Sequence, residues 1–524
     1  MKPLPDEIRS AYPVCSRLLA EEPLPPDGPA PTVEDLPRRL AATPAALKRH
    51  PYLADLARIE QAIHKLSTDP PGIPSRVDRL RLNPALVLLP VSWQRLPERL
   101  QDDRAAPAPV PNGFVLVWKA PGSGRVRAAT ADGHDLLALK IVSEAIAPRQ
   151  AAEDGGVSLG TIDNILYAAS QRGLLLAPPS RIVRPPAFGR EAVDGDQFRV
   201  ARCFTLQWHI TQACDLHCRH CYDRSDRQPL PLVEALRVLD DLYDFCQRMH
   251  VYGQVTFTGG NPLLYPHFDE VYRQSAERGF LTAVLGNPMP RRRIETLLRI
   301  QDLEFYQVSL EGLAEHNDYI RGPGHFQRTM AFLDVLRELN VSTMVMLTLT
   351  DANMDQVLPL AERLRGRTGV FTFNRLSPVG EGADLSPAGT GRYRAFLEDY
   401  LRAARNNPAM RLKDNLFNIL LHERGEPFFG GCAGFGCGAA FNFVSLLPDG
   451  EVHACRKLPS LIGNIRERSL YDIYRDAPAR RFRAGSKACR GCAIRPVCGG
   501  CLAVSHGSGL NIFRERDPYC FMEK

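Results

Sequence analysis

The sequence predicts an α/β protein built on a partial (β/α)6 TIM-like barrel, with an N-terminal helical plus winged-helix region and a C-terminal cysteine-rich domain. Three observations carry this. Six short apolar runs alternate with helical segments between residues 203 and 374, the order of parallel β/α units. Upstream, a β-rich stretch with a Gly-Ser-Gly turn precedes two amphipathic segments. Downstream, eight cysteines crowd into residues 432–520 among closely spaced glycines. The domains read as 1–83 (helical), 84–197 (winged-helix-like), 198–385 (barrel) and 386–524 (helical linker and cysteine-rich domain).

At 524 residues and 44% hydrophobic content the chain has the bulk for several domains and a sizeable core. Its formal charge of +6 is spread over scattered basic residues, so nucleic acid is not an expected partner, whereas an acidic peptide or an anionic cofactor is compatible. The opening MKPLPDEIRSAYPVC carries acids and prolines where a secretory signal needs an apolar segment. The longest apolar runs, 86–91 and 341–349, fall short of the roughly 20 residues that span a bilayer. A cytoplasmic protein without membrane association is expected. There, 14 cysteines are better explained as metal ligands or redox groups than as disulfides.

Residues 47–66 (LKRHPYLADLARIEQAIHKL) show helical spacing of apolar residues. ALVLLPVSW and GFVLVWKAPGSGRVRAAT read as strands, followed by helices over 135–146 and 159–172. A loop over 184–197 leads to the six apolar runs, at 203–210, 254–258, 281–285, 305–310, 343–348 and 370–374. Beyond Pro378 the chain reads as helical to Arg424. There is no internal repeat.

The most specific signal follows the first of these runs. In WHITQACDLHCRHCYDR, Cys214, Cys218 and Cys221 stand in C-x3-C-x2-C spacing. Three thiolates on one loop can hold three irons of a four-iron cubane and leave the fourth iron open, where S-adenosylmethionine (SAM) can bind through its amino and carboxylate groups. Zinc is the bland alternative, with His217 or His220 as a fourth ligand.

With these residues in place, the segment from Phe204 to Asn374 resembles the radical SAM superfamily. The resemblance implies a 4Fe-4S cluster on the three cysteines and reductive cleavage of SAM. It places His220 near the SAM adenine. Gly259-Gly260-Asn261-Pro262 matches the family's Gly-Gly-Glu-Pro, with Asn261 a departure whose amide oxygen can still accept from an ammonium. Ser309-Leu310-Glu311-Gly312 and HNDYIRGPGHF imply Ser309 and Arg321 near the SAM ribose or carboxylate, with helix-start and turn chemistry as the alternative. Asn374-Arg375-Leu376 is a further candidate on the barrel rim. Asp223, Glu311 and Asp318 lie near the expected site, and none is assigned as a catalytic base.

The tail, Cys432-x4-Cys437-x12-Gly450-x4-Cys455, Cys489-x2-Cys492-x5-Cys498-x2-Cys501 and Cys520, has enough thiolates for two fully ligated four-iron clusters. It resembles the SPASM extension of radical SAM peptide maturases, with x2 rather than x3 before Cys501. That resemblance implies one auxiliary 4Fe-4S cluster on Cys432, Cys437, Cys455 and Cys501 and another on Cys489, Cys492, Cys498 and Cys520. Paired zinc ribbons are the alternative. Cys15, Cys203 and Cys246 read as small core residues.

Residues 113–178 resemble the winged-helix element that binds leader peptides, although a winged helix also binds DNA. The leading functional expectation is a maturase acting on a ribosomally made precursor peptide, fed by an electron donor such as flavodoxin or ferredoxin. Within such enzymes the layout is similar to the selenobiotic-type maturases. The alternatives are oxidation of a protein cysteine or serine, as in anaerobic sulfatase maturases, and an iron–sulfur DNA-binding regulator.

Overall fold

The computed structural model describes residues 4–21, 31–185, 188, 193 and 196–523, so most of the expected loop over 184–197 lies outside the described residues. The chain divides into two compact units, 1–179 and 180–524.

In the first unit, residues 47–66 form parts of two helices, Pro44–Arg49 and Leu53–Thr68, instead of one. Pro51 disfavours helical geometry at the residue before it, and His50 leaves the helix at φ −126°, ψ 75°. Leu53–Thr68 buries Leu53, Leu56, Ile59 and Leu66 on one face. Glu60 lies buried on that face and accepts from the amides of Val14 and Cys15 at 2.7 and 3.0 Å. These amides belong to the first turn of helix Pro13–Glu21, which has no intrahelical acceptor for them, so the carboxylate caps the helix from a distance in sequence.

Strands β1 (Arg81–Leu82), β2 (Leu86–Gln94), β3 (Ala108–Lys119), β4 (Val126–Thr130) and β5 (Leu175–Leu176) complete this unit with helices Gly133–Ser143, Pro148–Gly155 and Leu159–Arg172. β2, β3 and β4 form an antiparallel sheet in that order, and β1 pairs with β5. Gly122 and Gly124, at φ +80° and +64°, turn the chain between β3 and β4. Asp132 and Ser158 cap the first and third helices, and Gly173 ends the third in a left-handed conformation. Leu116 and Trp118 of β3 share a core with Ala138, Ile141, Ile162 and Leu166. This is a winged-helix arrangement. Its middle helix, PRQAAEDG, was not expected from the sequence because it has almost no apolar side chains.

In the second unit all six expected runs are strands: β6 (Cys203–Thr211), β7 (Tyr252–Gly259), β8 (Leu281–Leu285), β9 (Phe305–Ser309), β10 (Thr343–Leu349) and β11 (Val370–Arg375). Each pairs parallel with the next, as in a partial barrel. The tail adds to it. β12 (Phe443–Leu446) pairs parallel with β6, and β13 (Glu451–His453) and β14 (Leu461–Asn464) follow antiparallel, so the sheet has nine strands in the order β11-β10-β9-β8-β7-β6-β12-β13-β14. Thr211 and Gly259 stand opposite each other at the ends of β6 and β7. The loops leaving these two strands are thereby forced together.

Candidate metal and SAM centre

The loop after β6 carries Cys214, exposed, and Cys218 and Cys221, half-buried. The Gly259-Gly260 turn packs directly against it. Gly260 donates its amide to Thr211 O at 2.9 Å and Asn261 to Ala213 O at 2.8 Å. A side chain at Gly260 would meet Ala213 O at 2.2 Å, and Gly259, at φ +131°, would set a Cβ 2.2 Å from Thr211 O. Only glycine fits at either position.

Donors aim at two of the thiols. Asn287 Nδ2 lies 3.6 Å from Cys214 Sγ, and Arg321 Nη1 lies 3.7 Å from Cys218 Sγ. Burial pushes the Cys218 and Cys221 thiols up, while Arg321 acts in the opposite sense on Cys218 and the Asp223 backbone on Cys221. The three thiols are within electrostatic reach of one another. This set of soft ligands, backed by hydrogen-bond donors, fits a cluster held by thiolates. Among the described residues no three or more His, Cys, Asp or Glu side chains gather as a single metal ion would require.

Asn261 is fully buried. Its Nδ2 donates to Asp215 Oδ1 at 3.0 Å, a carboxylate oxygen that also accepts from Asn287 at 2.6 Å. Its Oδ1 is buried without a protein partner. An orphaned acceptor here fits a ligand ammonium. Pro262 opens the short turn Pro262–Leu264, and Ser309 is half-buried at the end of β9.

Arg321 is committed to Glu311, with Nε and Nη2 at 2.8 and 2.5 Å from Oε1. His220 Nε2 joins the pair at 3.2 Å from the same oxygen, while its Nδ1 is buried and unpartnered. Burial alone would raise the Glu311 carboxyl, but His220 and Arg321 outweigh it and hold it well below the usual carboxylate range. Glu311 also accepts from the Thr348 amide at 2.7 Å. The group therefore locks β9, β10 and the cysteine loop together. Asp223 accepts from Ser225 and Gln212, and Asp318 accepts from the amides of Gly324 and Phe326.

In the tail the thiols fall into two groups. Cys437 feels Cys455 and Cys432, and Cys501 feels Cys437. Cys489 feels Cys492 and Cys520, and Cys498 feels the same pair. Cys489, Cys492, Cys498 and Cys520 line one cavity. Burial raises the Cys437 thiol to about 11 and Cys501 to about 12. Such thiols stay protonated unless an electrophile such as iron takes the sulfur.

Sequence reasoning missed the scaffold behind these groups. Arg375, read as a rim candidate, is 4% exposed and donates Nε to Asp414 Oδ2 and both Nη atoms to Asp517, each at 2.7 Å. Asp517 also accepts from the Cys501 amide at 2.7 Å. Asn415 accepts from the Cys432 amide and donates to Gly500 O, both at 2.6 Å. Nothing local marked Asp414 and Asn415, which sit beside Arg411, Lys413 and Asn418 in RLKDNLFN.

The Radical SAM superfamily model matches residues 208–364, and the SPASM iron–sulfur cluster-binding domain model matches 437–493. The mycofactocin maturase MftC of Mycobacterium ulcerans is 30% identical over 335 residues, 60% of this chain and 87% of that protein. An AdoMet-dependent heme synthase of Methanosarcina barkeri is 27% identical over 342 residues, 60% of this chain and 95% of that protein. The sporulation killing factor maturation protein SkfB of Bacillus subtilis is 26% identical, covering 55% of this chain and 68% of that protein. In fold, the crystal structure of Streptococcus suis SuiB matches with a TM-score of 0.51 at 15% identity, over 78% of this chain and 96% of that one. Sequence motifs, barrel and relatives agree: the chain belongs to the radical SAM superfamily and carries a SPASM iron–sulfur cluster-binding domain.

Proposed function

We propose that the protein is a radical SAM maturase acting on a ribosomally made precursor peptide, whose leader is held by the winged-helix unit. The observation that carries this reading is the sheet of that unit. Among the described strands β4 pairs on one side only, and such an edge accepts a peptide as an added strand. The DNA alternative is weakened by the third helix, whose one arginine or lysine, Arg172, is spent on Asp135 at 2.5 Å and over Trp118. Two relatives are named as maturation proteins. The heme synthases act by name on another substrate, and the peptide reading is preferred because residues 1–179 form a unit outside both family models.

In this proposal Cys214, Cys218 and Cys221 hold the SAM-binding 4Fe-4S cluster. Asn287 and Arg321 support two of those thiolates. Asn261 Oδ1 accepts from the SAM ammonium, Gly259 and Gly260 bring backbone close to it, Pro262 fixes the turn, and Ser309 and His220 line the remaining rim. When bound, the cluster and SAM supply reductive cleavage to a 5′-deoxyadenosyl radical, which removes a hydrogen atom from the peptide. Cys432, Cys437, Cys455 and Cys501 hold one auxiliary 4Fe-4S cluster and Cys489, Cys492, Cys498 and Cys520 the other. Full ligation by thiolates suits electron carriage, and a flavodoxin or ferredoxin is the expected donor.

The test is anaerobic reconstitution, reduction with dithionite in the presence of SAM, and assay of 5′-deoxyadenosine beside a variant with Cys214, Cys218 and Cys221 replaced by alanine. Formation by the wild type alone supports the reading. No formation by a protein loaded with clusters rejects it.

A further inference from the structure

The second unit contains a cavity of about 490 Å³ lined by Arg181, Arg475, Arg483, Phe441, Tyr471 and Tyr474, among others. Its cations are held by neutral groups. Arg181 donates to the Arg248 carbonyl at 2.9 Å, Arg475 to the Tyr471 hydroxyl at 2.7 Å, and Arg483 to the carbonyls of Ala440 and Tyr474 at 2.9 and 2.8 Å. Arg248 stacks over the Tyr471 ring, 3.3 Å from its centroid. None of these four arginines has a carboxylate partner among the described residues. Nearby, Asp241 feels Asp244, Asp472 and the Arg248 guanidinium, and accepts from the Leu470 amide. Arg181, Arg248 and Arg475 are exposed, so a positive, aromatic-walled recess faces solvent.

The recess backs onto the first tail group. Arg184, 3% exposed, is sandwiched between the rings of Phe188 and Phe441 at 4.3 and 4.0 Å. It donates to Cys437 O at 2.7 Å, Phe435 O at 3.2 Å and Arg483 O at 2.7 Å. Two wall residues, Phe441 and Arg483, thus contact the same buried guanidinium that holds the Cys437 peptide.

We propose that this arginine recess is the docking site for a small acidic electron-carrier protein, which exchanges electrons with the group on Cys432, Cys437, Cys455 and Cys501. The inference rests on the reading of that group as an auxiliary cluster. The charges specify the partner: the lining arginines Arg181, Arg475 and Arg483, which form no ion pair among the described residues, attract a surface rich in Asp and Glu, and the attraction is screened by salt. The site lies where one bonded residue, Arg184, separates that surface from a cluster ligand. The transfer is one electron between the carrier and the cluster, with no bond made or broken.

The test uses the reconstituted full chain and an acidic flavodoxin as probe, with affinity measured by calorimetry at low and at high salt. The wild type binds more weakly at high salt, and the double variant R181E/R475E binds at least tenfold more weakly at low salt. R402E, a charge reversal on helix Thr390–Ala404, binds like the wild type. Equal affinity for R181E/R475E overturns the proposal, as does binding of inorganic phosphate at the recess without flavodoxin binding. Dithionite-driven 5′-deoxyadenosine formation is measured in parallel. Its absence in the wild type counts against the maturase reading, while the flavodoxin affinities still report on the recess.

Discussion

At the scale of single residues, the strongest commitments in the molecule are buried charges. Arg375 ties the end of β11 to Asp414 and Asp517, and Asp517 in turn holds the Cys501 amide. Removing one partner of such a group leaves the others buried and uncompensated, typically a loss of 3–5 kcal/mol. Arg375→Ala is therefore expected to lower stability by about that amount, in a denaturant titration, and to reduce iron content after reconstitution. Arg375→Lys recovers only part of it, because an ammonium cannot match the bidentate contact to Asp517. Glu60 gives a different signature. Burial raises its carboxyl above the usual range, so the folded first unit favours the protonated form. That contribution is fully present below the ordinary glutamate value near 4.5 and is lost as pH rises through the raised folded value. Glu60→Gln should flatten the pH dependence of thermal unfolding. Glu60→Ala, which strands the Val14 and Cys15 amides, should cost about 1–3 kcal/mol.

At the scale of elements, the edge of β4 makes a sharp prediction. The Ala131 amide points to Phe114 O in β3; by the alternation of an antiparallel ladder, the amides of Ala128 and Thr130 point away from β3. Thr130→Pro removes an outward donor while sparing the β3 ladder, so precursor binding should weaken while cluster loading is unchanged, as measured by peptide affinity and iron content. The barrel strands were legible in the sequence because they are short, largely apolar runs: LTAVL buries its three central residues, while FYQVS alternates buried Tyr306 and Val308 with half-buried Phe305, Gln307 and Ser309. Strands β12, β13 and β14 were not, because 4, 3 and 4 residues are too few to display a period. The cysteine loop was legible from its spacing, and the glycines at 259 and 260 from the family resemblance. The roles of Asn287, Asp215 and Asp517 were not, since a lone Asn or Asp in a loop carries no local signal of what it will face.

At the scale of the whole chain, the residues divide into two compact units, so their contributions should separate. A chain beginning at Ser180 retains the barrel, the cysteine loop and both tail groups. It is expected to form 5′-deoxyadenosine when reduced but to leave a precursor peptide unmodified, as read by mass spectrometry. Conversion by the shortened chain at the rate of the full one would count against leader capture by residues 1–179. Among the described residues no helix is long and apolar enough to cross a membrane. Membership of the radical SAM superfamily and the SPASM domain was recoverable from sequence because both resemblances rest on the spacing of cysteines, the usual ligands of iron–sulfur clusters. The recess of arginines was not, because Arg181, Arg248, Arg475 and Arg483 are brought together only by folding.

Cys498 belongs to one tail group and Cys501 to the other, with Gly499 and Gly500 between them at φ +69° and +67°. Three residue steps span at most about 10–11 Å even when drawn out straight. This stretch therefore works as a tether: the separation of the two Cα atoms is capped by the number of glycines, and no side-chain change elsewhere can lengthen it beyond that limit. If the two groups hold the proposed clusters, a residue added between Cys498 and Cys501 would loosen the spacing of the two sites while leaving all eight thiols in place.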